Sequence, residues 1–287
     1  MKLLSFGEVL WDVYPDNKFI GGAPMNFAAH FAKQGGSAAM ISALGNDSLG
    51  CDALKQLEAW KLDTSFITYP EGKETGKCLV TLDEKRVPSY NLLSDVAYDY
   101  ISCDKVKGEF DAVYFGTLSL RSGYNRKSLE GLLHREKFGE VFSDLNIRPP
   151  FYSKESILFA LENASIVKIS DEEMPIVLSE IGFDVSDDYA AVSSALAKRF
   201  SNLKVIIVTL GPKGSFAYNC ADGSTYSCGT VEVKVVSTVG AGDSFSATFL
   251  ANYLSGKGID VCLKKASEIA SFVVSRYEAV PDYPSVD

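Results

Sequence analysis

The sequence predicts an α/β domain: a central, mostly parallel sheet flanked by helices, with a small all-β appendage. Three observations carry this. Strand-like and helix-like segments alternate at both ends of the chain, the strand-like runs suit burial on both faces, and hairpins break the rhythm between Asp63 and Leu93. The 287 residues are long for one ordinary domain and short for two, and 46% hydrophobic against 23% charged residues suits a well-buried core.

The elements follow in order. LLSFGEVLWDVYP is an apolar run rich in strand formers, closed by the turn-like PDN. From Ala23 to Lys33, Met25, Phe27, Ala28, Phe31 and Ala32 recur at helical spacing. SAAMISALG is a second strand, and a helix follows around Gly50 to Trp60. Next, KCLVTL, the charged turn DEKR and VPSYNLL form a hairpin, a β-only insertion of the kind that covers a site or meets a partner. The βα rhythm resumes with DAVYFGTLSL, GEVFSDLN, ASIVKIS and KVIIVTLG, each trailed by helix-like residues. The last of these also reads, over Lys204 to Tyr218, as strand, turn and second strand. The final helices cover Ala241 to Leu254 and Asp260 to Arg276, and no repeat, low-complexity tract or linker divides the chain.

Composition narrows the function. Lys and Arg number 28 against 37 Asp and Glu, a net charge of −9 that repels phosphate backbones and disfavours a nucleic-acid-binding module. An anionic ligand must therefore be held locally, by backbone N–H groups, a metal or a few placed cations. The six cysteines form no C-x-x-C pair and only His30 and His134 are present, so no zinc site is readable and the thiols suit a reducing compartment. Glu8 and Asp12 interrupt any signal-peptide core, and no later run reaches the ~20 apolar residues of a spanning helix. The expectation is a soluble, cytoplasmic protein with no membrane and no nucleic-acid partner.

Three glycine-rich segments permit chemistry. In VKVVSTVGAGDSFSATFLANYL a β-branched, strand-like run leads into Gly240-Ala241-Gly242-Asp243 at a helix start, where converging N–H groups and the helix terminus make an anion cradle. Asp243 beside it suits a base that accepts the proton of an incoming hydroxyl; an N-cap aspartate after a flexible turn is the plainer alternative. In KVIIVTLGPKGSFAY, Thr209 and Gly211 could line a nucleotide or simply close a hairpin. In IGGAPMNFAAHFAKQGG, Gly21 and Gly22 let a ligand approach the backbone, and the Asn26 amide can both donate to and accept from sugar hydroxyls.

GGAPMNFAAHFAKQG and STVGAGDSFSATFL, with DLNIRP, KISDEE and TLGPKG in order between them, resemble the PfkB carbohydrate kinase family, whose fold is ribokinase-like, over essentially the whole chain. GEVLWDVYP, GGAPMN, FGTLSL and DLNIRP are most similar to bacterial fructokinases. The resemblance implies one kinase domain over residues 1–287 with a β-sheet lid formed by about 12–22 and 68–93. It implies Asp243 as catalytic base with Gly240, Ala241 and Gly242 as anion hole, and Asp12, Gly21, Gly22, Asn26, Asn146 and Arg148 on the substrate. Thr209, Gly211, Gly214, Lys168, Ser170 and Ser267 would meet ATP, and Glu173 would position Mg2+. Three departures stand out: Ser237 replaces the aspartate that opens the last motif, Ser170 replaces the asparagine three before Glu173, and Glu278 precedes Ala279 where glycine is usual. The first and third make a monovalent-cation site doubtful.

The expected activity is ATP-dependent phosphorylation of a neutral sugar, fructose to fructose 6-phosphate. Other kinases of the family (2-keto-3-deoxygluconate, ribose or nucleoside) and a non-catalytic sugar or nucleotide binder are the alternatives. A dehydrogenase is disfavoured because FGEVLW lacks the dinucleotide fingerprint after the first strand. A phosphorylated sugar would need cations near the lid, for which Lys73, Lys77, Lys85 and Arg86 are candidates. Leu79, Tyr90 and Leu92 could join two lids in a homodimer.

Overall fold

The computed structural model describes residues 1–82 and 88–282, so Lys85 and Arg86 lie outside the described residues, as does the Tyr90 side chain. The first half contains β1 (Lys2–Phe6), β2 (Leu10–Val13), β3 (Lys18–Gly21), α1 (Ala23–Lys33), β4 (Ser37–Ala43), α2 (Ser48–Ala59), β5 (Asp63–Thr68), β6 (Gly76–Leu82) and β7 (Pro88–Leu92). It continues with β8 (Phe110–Gly116), α3 (Gly123–Arg135), β9 (Phe138–Asp144), α4 (Lys154–Asn163), β10 (Ile166–Ser170), α5 (Met174–Ile181) and α6 (Tyr189–Arg199). The chain ends with β11 (Val205–Thr209), β12 (Ser215–Asn219), β13 (Thr225–Cys228), α7 (Ala241–Leu254) and α8 (Ile259–Val274).

Nine strands form the main sheet in the order β13-β12-β11-β10-β9-β8-β1-β4-β5. Every pairing from β5 to β11 is parallel, and β12 and β13 add antiparallel at one edge. Strand order reverses between β1 and β8, which opens a crevice at their carboxyl ends, where open α/β sheets bind ligands. Helices cover both faces, so neighbouring residues of one strand enter opposite cores. Leu4, Ile41 and Phe115 pack with Leu132, Leu161 and Val177, while Leu3, Met40 and Tyr114 pack with Phe27, Phe31 and Phe249. Burying each such side chain contributes about 1.5–3 kcal/mol, which is why these runs stay apolar on both faces.

Two expectations fail locally. β11 leads not to a helix but through a short turn at Gly211–Lys213 into β12, because Pro212 and the glycines break the chain there. The β-branched run before the GAGD loop is not a strand. β13 already ends at Cys228, and residues 229–239 run beside α8, giving the Val236 and Ser237 N–H groups to the Val274 carbonyl at 2.8 and 3.2 Å. Val231, Val235 and Val239 are left exposed beside the loop.

The second sheet has the order β3-β2-β6-β7, with β2 and β6 parallel. Asp12 lies opposite Phe19 on β3 and Cys78 on β6, so these three share a face. The other face carries Trp11, whose indole Nε1 donates to the Leu49 carbonyl at 3.0 Å, and Lys18, which pairs with Asp52 at 2.7 Å. That face is thus seated on α2. Leu79 and Leu92, both proposed above as dimer contacts, fall on opposite faces, since Leu92 pairs with Cys78 and Leu79 with Asn91.

Candidate active site

The carboxyl ends of β1, β8, β9 and β10 converge on the start of α7. Gly240 caps that helix in the left-handed region (φ 80°), and a Cβ there would collide with the Ala279 carbonyl, so only glycine fits. The Ala241 N–H donates to the Thr238 carbonyl at 3.3 Å, which leaves the N–H groups of Gly242 and Asp243, in the first turn, without a helical partner.

Asp243 is held from across the fold. The Asn26 Nδ2 donates to its Oδ2 at 2.8 Å, and Asn26, buried on α1, keeps its own Oδ1 unpartnered. Burial pushes the Asp243 carboxyl up to about 6; the Asp144 charge adds to this, while the Asn26 bond and the Lys168 and Arg148 cations oppose it. A carboxyl poised there is ionised at neutral pH yet basic enough to take a hydroxyl proton. Gly22, which precedes α1, adopts φ 124° and would clash with the Glu8 carbonyl if it bore a Cβ, so the α1 start is pressed onto the turn after β1.

Behind the loop, Lys168 on β10 donates its Nζ to Asp144 Oδ1 at 2.9 Å, and Ser246 on α7 donates to Asp144 Oδ2 at 3.1 Å. Both charged residues are buried, and a Cβ on Gly242 would stand 3.6 Å from the ammonium, which places this cation against the Gly240–Asp243 turn. Glu173 accepts from the Ile147 N–H at 2.6 Å and the Ser170 N–H at 2.8 Å, while the Ser170 hydroxyl accepts from the Glu173 N–H at 3.2 Å. Ser170 therefore closes the turn that an asparagine would otherwise brace. Asn146 takes the left-handed conformation (φ 41°) that asparagine tolerates, and exposed Arg148 lies beyond it, its charge acting on Glu8, Asp12 and Asp243.

On the small sheet, burial raises the Asp12 carboxyl despite a hydrogen bond with the Cys78 thiol and the Arg148 charge. A Cβ on Gly21 would stand 3.2 Å from Asp12 Oδ2, so Gly21 leaves that carboxylate open. Gly21 abuts Asp12, Asn26 beside the Gly22 turn bonds Asp243, and the Arg148 charge reaches both carboxyls, so these residues share one neighbourhood. Further out, Thr209 and Gly211 begin the β11–β12 turn, which Gly214 closes by accepting from the Leu210 N–H at 2.8 Å. Ser267, on α8, is buried and its hydroxyl donates to the Gly229 carbonyl at 2.8 Å. Sequence reasoning singled out neither Glu8 nor Asp144. Glu8 was legible only as an acid set in an apolar strand end, and Asp144 as the acid two before Asn146.

Fold and crevice together define a sugar-kinase architecture. The model of the pfkB family of carbohydrate kinases matches residues 4–285, and the chain belongs to that family. Among its relatives, a 5-dehydro-2-deoxygluconokinase of Halalkalibacterium halodurans is 30% identical over 304 residues, covering 100% of this chain and 89% of that protein. A probable chloroplastic fructokinase-6 of Arabidopsis thaliana is 31% identical, covering 87% and 69%. The crystal structure of a sugar kinase from Pyrococcus horikoshii in complex with ATP superposes with TM-score 0.82 at 27% identity, covering 97% of this chain and 94% of that one. A fructokinase from Vibrio cholerae with bound fructose, ADP and calcium shares the fold, with TM-score 0.84 at 21% identity over 99% and 96%.

Proposed function

We propose that this carbohydrate kinase transfers the γ-phosphoryl group of ATP to a hydroxymethyl group of a neutral sugar, fructose to fructose 6-phosphate. The observation that carries the reading is Asp243: a half-buried carboxyl raised to about 6, fixed by Asn26 at 2.8 Å, at a glycine-capped helix start. Asp243 accepts the proton as the hydroxyl oxygen bonds to the γ-phosphorus. The bond from phosphorus to the bridging oxygen breaks, and ADP leaves with that electron pair. The N–H groups of Gly242 and Asp243 and the Lys168 ammonium meet the developing charge, Ala241 giving its own N–H to the Thr238 carbonyl, and the four-stranded sheet carrying Asp12 acts as a lid that limits water.

The nucleotide lies toward Thr209, Gly211 and Gly214, where exposed Val231, Val235 and Val239 offer apolar contact for a base. Among the described residues, no three His, Cys, Asp or Glu side chains cluster to hold a metal ion. Magnesium keeps several waters and takes one or two carboxylates plus phosphate oxygens. Glu173, with Asp144 behind it, would hold it, and when bound it neutralises phosphate charge. Ser267, spent on Gly229, would serve only by supporting the wall beside the nucleotide.

Asp12 and Asn26 match neighbouring hydroxyls of an uncharged sugar, because a carboxylate accepts from two of them and repels an anion. A sugar acid such as 2-keto-3-deoxygluconate is the second reading, favoured by Arg148, whose charge reaches Asp12 and Asp243 from the crevice rim. A homodimer through the small sheet would cover Phe19, which is 59% exposed. No helix among the described residues is long and apolar enough to cross a membrane, and we place the enzyme in the cytoplasm. ADP release measured with fructose, ribose, adenosine and 2-keto-3-deoxygluconate tests the reading. Fructose should give the highest kcat/KM, and no turnover with any of them would refute it.

A further inference from the structure

Glu8 takes no part in the transfer described above, yet its buried carboxyl lies within electrostatic reach of Asp243. It leaves β1 where strand order reverses, is 2% exposed, and lies under the turn that starts α1. Its Oε2 has no hydrogen-bond partner. The Tyr98 hydroxyl and Arg121 Nη1, both within electrostatic reach of Glu8, and Ser119 Oγ beside Gly7 are also buried without partners.

The groups that face Glu8 come from several elements. Asp243 on α7 opposes its ionisation, and Arg148 after β9 and Arg121 after β8 favour it. The phenols of Tyr98 and of Tyr114 on β8 feel its charge. Neither cation neutralises it in full. Arg121 is engaged with Asp99 (Nε to Oδ1 2.8 Å, Nη2 to Oδ2 2.9 Å) and gives Nη2 to the Leu93 carbonyl at 2.8 Å, while Arg148 is exposed and screened. An ionised Glu8 would bury a charge whose Oε2 has no hydrogen-bond partner, which is costly. The neutral acid buries no charge and can itself donate a hydrogen bond.

We infer that Glu8 is a positioning residue held as a neutral acid, acting through Asp243. Its neutrality leaves Asp243 the carboxylate that ionises, and its own ionisation adds a second negative charge beside the base and the incoming phosphates and arrests transfer. This rests on the kinase reading. In support, Asn26 donates to the Asp243 carboxylate while Glu8 Oε2 has no partner, so the base ionises first as pH rises; burial pushes Glu8 up to about 7 and Asp243 up to about 6. The active form, Asp243 ionised with Glu8 protonated, is then bounded on both sides.

The test compares the pH dependence of kcat/KM for the wild type and Glu8→Gln, each normalised to its own maximum, with whichever sugar the wild type phosphorylates. The wild type should give a bell whose alkaline limb falls about tenfold per pH unit; Glu8→Gln should keep the acid limb and lose the alkaline one. A wild type without an alkaline limb, or a Glu8→Gln profile that keeps it, overturns the inference. A second measurement needs no substitution and no substrate. With carboxyl-13C-labelled glutamate in the wild-type protein, one resonance should titrate near neutrality, and it should vanish in Glu8→Asp. All glutamates titrating in the ordinary range of about 4–5 would overturn the inference. If no sugar is phosphorylated the kinase reading fails, while the resonance still reports whether Glu8 is held neutral.

Discussion

Replacing Asp243 by Asn should separate function from stability, and the structure sets the size of both effects. The amide matches the carboxylate in shape and can still accept from Asn26, so the crevice keeps its form. What is lost is the base, which in comparable enzymes is worth about 10²–10⁴ in rate, or about 3–5 kcal/mol of barrier. What is gained is relief from a buried charge. The folded Asp243 carboxyl is raised from 3.8 to about 6, so the native state holds that proton more tightly than the unfolded chain. Stability therefore falls as pH rises from about 4 to about 6, and above that the loss is complete, at most about 3 kcal/mol. Asn carries no such loss. Asp243→Asn should be more stable than the wild type at pH 7 by on the order of 1–3 kcal/mol, with the difference vanishing near pH 4. ADP release with the best sugar reads the first effect, and urea unfolding at the two pH values reads the second. Turnover within tenfold of wild type would refute the base assignment, and a variant less stable than wild type at pH 7 would refute the burial reasoning.

Other substitutions probe single links. Asp12→Asn should raise KM for the sugar by about tenfold or more with little change in kcat or in KM for ATP, the result of weakening one charged acceptor. Lys168→Met strips the buried Asp144 carboxylate of its cation and should cost about 3–5 kcal/mol in urea unfolding, partly recovered by adding Asp144→Asn. Exchanging sodium for potassium should alter the rate little. Ser237 offers a hydroxyl that already accepts from the Val239 N–H at 3.2 Å, and neutral His30, its pKa pushed down to about 4 by burial, lies 2.9 Å from the Ala279 carbonyl. Sedimentation at micromolar concentration should show a dimer, and Phe19→Asp should shift it toward monomer.

Legibility in the sequence followed the kind of interaction. The α1 limits at Ala23 and Lys33 were readable because the apolar spacing, Pro24 and the flanking glycines agree. The GAGD turn was readable because a glycine-capped helix start has local chemistry. The run over residues 229–239 misled because β-branched composition reports that a residue fits a pleated surface, not that a neighbouring strand exists to pair with it. Lys168 bonded to Asp144, and Glu173 bracing Ile147, join residues more than twenty positions apart, and no local pattern encodes such partners. Glu8 was passed over for a related reason: a lone acid in an apolar stretch signals burial only once the α1 turn is seen lying on it.

The four-stranded sheet is assembled from two separate stretches of chain, one between β1 and α1 and the other after β5, joined through the parallel pairing of Leu10–Val13 with Gly76–Leu79. Its seam therefore runs through the middle of the sheet rather than along an edge. Exchanging specificity between members of this architecture by grafting one contiguous cassette would move half of a hydrogen-bonded surface onto a mismatched other half. The two excursions have to change together, so a useful substitution in one, such as at Asp12, is constrained by its neighbour across the seam at Cys78. Diversification of the acceptor pocket should thus proceed through paired changes on β2 and β6 more readily than through single ones.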